Sequence, residues 1–449
     1  MFIHWLAQST TDAFFTPDGA QTSTVDQVLS PYIYIFYVAF LVAYFFTPMM
    51  RQVAIYYRVI DQPDAVRKLH KEPVAYLGGV AVFLGWLAGL ATSQFVQAHR
   101  VDVRIPHIHW PLSIVLGATL IVALGLWDDL RKIRPRMKII VQVIAALILL
   151  LGGIGTHCID PLLAPVVDRL ELKHLIGPVA LQWIEYFELA TSGLLTVSLV
   201  VGSCNAANLM DGLDGLCGGV SAIIAAGFVF LAVHMATLGT PDSTNIDGMR
   251  VVLGLALLGA VLGFVPFNFN PASIFLGDTG SMFIGFAFAT MMVMMAEEKS
   301  KWFLAAVVIY ALPILDTALA FVRRWVNKRP IFSADRHHVH HQLMARGFTV
   351  RQTVLISYGL AICFLVLGVS IVFLRTRYVV AAYMVIFGSI VVAAYKGGLV
   401  HEKSKVSTPK GIEQPDAIEP ALFDNSGSVM EVDDLRPPKF DPHQIEPDG

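Results

Sequence analysis

NAANLMDGLDGL, residues 205–216, lies between apolar runs at 187–204 and 215–238, and its polar side chains Asn205, Asn208, Asp211 and Asp214 follow one another at intervals of three. Runs of about 20 apolar residues cross a hydrocarbon layer as α-helices, so the stretch reads as a polar junction between two membrane spans. Side chains three apart drift by ~60° per step around an ideal helix, which would put Asn205 and Asp214 on opposite sides. With Gly212 and Gly215 inside it, the stretch reads instead as a helix end breaking into a loop, its four side chains wrapped around a ligand.

The same alternation extends outward. Apolar runs recur at 31–50, 74–96, 110–127, 137–155, 187–204, 215–238, 251–268, 274–296, 302–325, 352–374 and 378–395, about eleven in all. The 449 residues are 55% hydrophobic and 15% charged, with mean hydropathy +0.63, where soluble domains carry roughly 25% charge. The expected fold is therefore all-α and polytopic. Lys and Arg concentrate in alternate loops, at 51–71, 131–138, 323–351 and 396–405, and are sparser in the others. Positive loops stay in the cytoplasm, which predicts an outside N-terminus, an inside C-terminus and location in the cell inner membrane. Residues 1–30 form a short extracytoplasmic segment, 31–395 the transmembrane domain, and 396–449 an acidic, Pro-rich tail expected to be disordered. The net charge of −2 sums over segregated patches and identifies no partner; no nucleic acid is expected. The four cysteines have no metal-ligand spacing.

The unusual polar residues fall in the loops assigned to one side. WDDLRKIRPRMK carries Asp128, Asp129 and Lys138; FNFNPASIFLGDTGS carries Asn268, Phe275 and Asp278; SADRHHVHHQL carries Arg336, His338, His340 and His341; and Lys68 precedes them all. Carboxylates at a membrane boundary are costly to desolvate, so they pair, bind cations or line a wet cavity. Oxygen-only donors favour a hard cation such as Mg²⁺, which keeps water and substrate phosphate among its ligands. The small residues around Asp278 suggest a helix start whose N–H groups can approach a phosphate. HHVHH is open to two readings, a transition-metal site or an oxyanion contact; its spacing favours the second. Asp316, with Arg323 and Arg324 two turns on, reads as a structural ion-pair partner.

These motifs, in this order, resemble the signature loops of the polyprenyl-phosphate N-acetylhexosamine-1-phosphate transferases over about residues 31–395. The resemblance implies transfer of a sugar 1-phosphate from a UDP-N-acetylhexosamine to a membrane polyprenyl phosphate, with Mg²⁺ or Mn²⁺ and release of UMP. It implies Asp278 as metal ligand with Asn208 near the ion, and Asn205, Asp211 and Asp214 as nucleotide-sugar and catalytic positions. Phe275 would stack on uracil, Asn268 would lie near the nucleoside, and Asp128 and Asp129 near the lipid phosphate. His338, His340 and His341 would face the diphosphate with Arg336 beside them, and Lys68 and Lys138 match basic positions. DRHHVHHQL and EPVAYLGG are similar to the branch that transfers GlcNAc 1-phosphate to undecaprenyl phosphate, a first membrane step of cell-envelope polysaccharide synthesis. They depart from phospho-MurNAc-pentapeptide translocases, the nearest rival. An ion-coupled transporter would spread its ionisable residues along a path through the membrane, whereas these collect at one face. A homodimer is compatible with all of this.

Overall fold

A computed structural model describes residues 24–61, 74–98, 111–161, 178–238, 244–328 and 338–374, with a few positions between 378 and 388. Lys68, Arg336, the tail, most of the N-terminal segment and most of the last apolar run lie outside them. Thirteen helices are described: α1 Val25–Leu29, α2 Ile33–Tyr56, α3 Gly78–Ala98, α4 Leu112–Leu130, α5 Pro135–Leu151, α6 Pro178–Met210, α7 Leu216–Leu238, α8 Thr244–Asn268, α9 Gly277–Glu298, α10 Ser300–Ile309, α11 Ala311–Val326, α12 Val339–Ala345 and α13 Val350–Val372. The all-α expectation holds but for a two-residue antiparallel ladder, β1 Ile60–Asp61 with β2 Val74–Ala75, extended by a parallel bridge from Ala75 to Ile274.

Eight of these helices are long and apolar enough to cross a membrane. The run at 302–325, expected as one span, is two helices meeting at 73°. Pro313 explains the break: it has no N–H to return to the carbonyl of Ile309, where α10 ends. At 17 residues, α5 spans only ~26 Å, yet it traverses the bundle. Its first turn carries Lys138, which meets Asp278 at the start of α9, while the Gly155 N–H just beyond its end donates to Glu297 at the far end of α9.

The middle of the bundle is α9, its membrane-length window wholly buried, against α3, α4, α6, α7, α8 and α10. Close approach at its start depends on glycine. A Cβ on Gly79 would lie 2.1 Å from the backbone nitrogen of Gly280, so the starts of α3 and α9 meet backbone to backbone.

Candidate functional site

Four helix ends meet at the start of α9. The ammonium of Lys138 on α5 bridges Asp128 Oδ2 of α4 at 2.6 Å and Asp278 Oδ2 at 2.5 Å, all three side chains being partly buried. Asn208, in the last turn of α6, donates its amide to Asp278 Oδ1 at 2.7 Å and to Ser281 Oγ at 3.1 Å. Asp129 turns away from this bridge. Its Oδ1 accepts the Asp278 N–H at 2.9 Å, and its Oδ2 accepts the Thr279 N–H at 3.0 Å and the Thr279 hydroxyl at 2.6 Å. That is an N-cap delivered from another helix, favoured by the partial positive charge at the start of α9. The phosphate-cradle reading of GDTGS is corrected here, because the first-turn N–H groups of Asp278 and Thr279 are already taken by Asp129.

The opening stretch divides as its glycines suggest: α6 ends at Met210, and residues 211–215 form the turn before α7. Its four polar side chains do not converge. Asn205 donates to Gln142 Oε1 at 2.8 Å and to the Val201 carbonyl. Asp211 lies half-buried among carboxylates; burial and then the charges of Asp278 and Asp129 push its carboxyl well above the usual range, against one opposing hydrogen bond from the backbone of Gly277. Asp214 is drawn to the next loop, accepting from Asn270 Nδ2 at 2.9 Å and the Ala272 N–H at 3.0 Å. Asn268, 2% exposed, fastens the same two loops by accepting the Gly215 N–H and donating to the Ile274 carbonyl. Phe275 is held through its backbone to Ala75 and Gly78, and its ring meets Tyr76 edge-on at 5.9 Å.

His338, His340 and His341 sit at the start of α12. The rings of His338 and His340 lie parallel at 5.6 Å, and those of His340 and His341 are 4.3 Å apart. Gly212 admits them to the aspartate turn, since a Cβ there would come within 2.7 Å of His340 Nε2. Burial, then the neighbouring His341, lowers His340 to about 4, and its ring is neutral at physiological pH. Asp316 of α11 does not serve the expected ion pair: its Oδ2 meets His338 Nδ1 at 3.0 Å and its Oδ1 accepts the Val339 N–H at 2.8 Å. Gln142, Ser281 and Thr279 also enter the site without having been singled out by the sequence. Gln142, one turn beyond Lys138, was detectable as an amide within an apolar run.

Asp128 and Asp278 thus share Lys138, Asp129 holds the start of α9 beside them, and Asp211 lies close enough to feel the charges of Asp278 and Asp129. The donor set fits a hard divalent cation: oxygen ligands, an excess of negative charge, and a carboxyl whose ionisation its neighbours oppose. Among the described residues no three His, Cys, Asp or Glu side chains form a cage for a metal.

Residues 111–296 match glycosyl transferase family 4. A probable undecaprenyl-phosphate N-acetylglucosaminyl 1-phosphate transferase of Bacillus subtilis is 32% identical over 389 residues, covering 86% of this chain and 97% of its own. A decaprenyl-phosphate N-acetylglucosaminephosphotransferase of Mycobacterium tuberculosis is 33% identical, covering 71% and 77%. A phospho-N-acetylmuramoyl-pentapeptide-transferase of Bacillus thuringiensis matches at 27%, covering 73% and 92%.

Proposed function

Since the chain belongs to glycosyl transferase family 4, we propose that it is a membrane phosphotransferase that moves N-acetylglucosamine 1-phosphate from a UDP-sugar to a polyprenyl phosphate. The observation that carries the reading at the site is the clamping of Asp278 by Lys138, Asn208 and Asp129, from three different helices. Such a clamp fixes one carboxylate at a membrane boundary, where a soluble nucleotide and a bilayer-bound phosphate can meet. The pentapeptide substrate of the more distant relatives is the second choice, on lower identity and on the histidine pattern.

In the reaction, an oxygen of the lipid phosphate bonds to the sugar-bearing phosphorus of the donor. The bond from that phosphorus to the bridging oxygen breaks, and UMP leaves with the electron pair. The attacking oxygen is ionised at neutral pH, so catalysis rests on positioning and charge neutralisation rather than on a strong base. Mg²⁺ or Mn²⁺, held by Asp278 with Asn208 beside it, would neutralise the diphosphate. Lys138 keeps a fixed ammonium between Asp128 and Asp278, and Asp129 sets the backbone of Asp278 itself. His338, His340 and His341 contribute imidazole edges for the phosphates; Arg336 and Lys68, which the sequence resemblance adds, lie outside the described residues. Asp128 lies nearest the role of orienting the lipid phosphate. Direct displacement is favoured over a phospho-aspartate at Asp129, because both of its oxygens are committed to α9.

The basic loops support an eleven-span topology with the C-terminus and the site in the cytoplasm of the inner membrane; among the described residues eight helices, or nine spans with the bent pair, are long and apolar enough to cross. The test is purified protein with UDP-[³H]GlcNAc, polyprenyl phosphate and Mg²⁺. Labelled lipid and strictly lipid-dependent UMP release are expected. Absence of labelled lipid with every UDP-HexNAc tried would overturn the assignment, and UMP release without lipid would overturn direct displacement.

A further inference from the structure

The bend between α10 and α11 brings an acidic side chain from the middle of the last broken span against the histidine segment. Asp316 is 6% exposed and His338 5%. Both carboxylate oxygens are spent on two consecutive residues, Oδ2 on His338 Nδ1 and Oδ1 on the Val339 N–H. The carboxylate plane, the imidazole ring and the start of α12 are therefore locked together. A neutral Ser or Asn would satisfy a helix start as well. A carboxylate taken out of water needs a stronger reason, and the charge it can stabilise here is on the imidazole.

We propose that Asp316 is a positioning residue for the transfer reaction: it holds His338 with the proton on Nδ1 and directs Nε2 toward the reacting phosphates. This rests on the functional reading above. With Nδ1 facing the carboxylate, Nε2 is the atom left to address an anion, and when protonated it donates while Asp316 balances its charge. The orientation does not stop at one ring. His338 stacks parallel on His340, and His340 abuts Gly212, so the setting made on α11 reaches the turn that carries Asp211.

Asp316→Asn keeps the size and an acceptor for the Val339 N–H, but turns an NH₂ toward Nδ1 and moves the imidazole proton to Nε2. In the lipid-labelling assay, kcat is expected to fall ~10- to 100-fold while KM for UDP-GlcNAc changes by less than ~3-fold. In a His338→Gln background the same change should alter kcat by less than ~2-fold, because the group it acts through is gone. Equal losses in both backgrounds, or wild-type kcat in Asp316→Asn, would overturn the proposal. Histidine ¹⁵N shifts, with His338 assigned by its variant, report the tautomer without turnover. Nδ1–H in the parent and Nε2–H in Asp316→Asn are expected, and the same tautomer in both would overturn the proposal. An inactive parent protein would count against the transferase reading alone, since the ¹⁵N comparison still decides the role of Asp316.

Discussion

Asp129→Ala removes the acceptor for three donors at the buried start of α9: the N–H groups of Asp278 and Thr279 and the Thr279 hydroxyl. A buried donor left without a partner costs about 1–3 kcal/mol, and three are left here, so the site should lose at least about 3 kcal/mol. Asp129→Asn keeps one oxygen able to accept one or two of these bonds, and should lose about 1–2 kcal/mol. Because one of the freed N–H groups belongs to Asp278, the alanine variant should also displace the metal-ligand candidate, and a shift of about 1 Å lowers turnover ~100-fold. Unfolding free energy in mixed micelles, measured beside kcat, separates this role from that of a proton acceptor. A cap predicts a graded loss in both quantities, Ala well below Asn. The reasoning is refuted if both variants unfold like the parent, or if Asn is as inactive as Ala while fully stable.

Gly212→Ala should cost at least about 10-fold in kcat with folded yield retained, because its Cβ meets a buried His340 ring that has little room to give; an unaltered rate would show that the ring yields. Asn268→Ala leaves the Gly215 N–H and Ile274 carbonyl unpaired, an expected loss of about 2–4 kcal/mol, seen as reduced folded yield rather than as a raised KM for the UDP-sugar. His340 is held at about 4, below its ordinary 6.5, so between those values the unfolded chain binds a proton that the native one does not. Its contribution to stability is complete above pH 6.5 and is lost as pH falls toward 4. His340→Gln should flatten that part of the stability profile measured by thermal unfolding. Asp278→Asn should nearly abolish turnover in the lipid-labelling assay while leaving folded protein, and near-normal activity would remove Asp278 from the metal site.

The spans were legible because burial in lipid is a one-dimensional signal: an uninterrupted apolar run is enough to announce a helix, and ten of the eleven expected runs coincide with helices of the described chain. The break at Tyr310 was not, although Pro313 marked it, since the hydropathy of 302–325 is continuous across the bend. Polar residue types also pointed to residues that the structure brings together at the start of α9, because at a membrane boundary they have few other reasons to exist. Partners are a three-dimensional matter. Asp128 and Asp129 are neighbours in the chain but point to different tasks, one in the lysine bridge and one in the cap of α9. Asp214 shares the spacing of Asn208 and Asp211, yet the turn at Gly215 hands it to the 270–272 loop. Nothing in periodicity could give Asp316 to His338 rather than to the arginines on its own helix.

The enclosure of α9 bears on how the chain is made. Of the six described helices packed most extensively on it, five emerge from the ribosome before it and α10 immediately after. A wall formed by α3, α4, α6, α7 and α8 must therefore stay open, or reopen sideways, until α9 is delivered into it. Asp278 reaches Lys138 and Asn208 only at that step, so the candidate site is assembled by the insertion of one late segment, and mutations that delay its lateral entry should trap a protein with most of its spans in place and this cluster unformed.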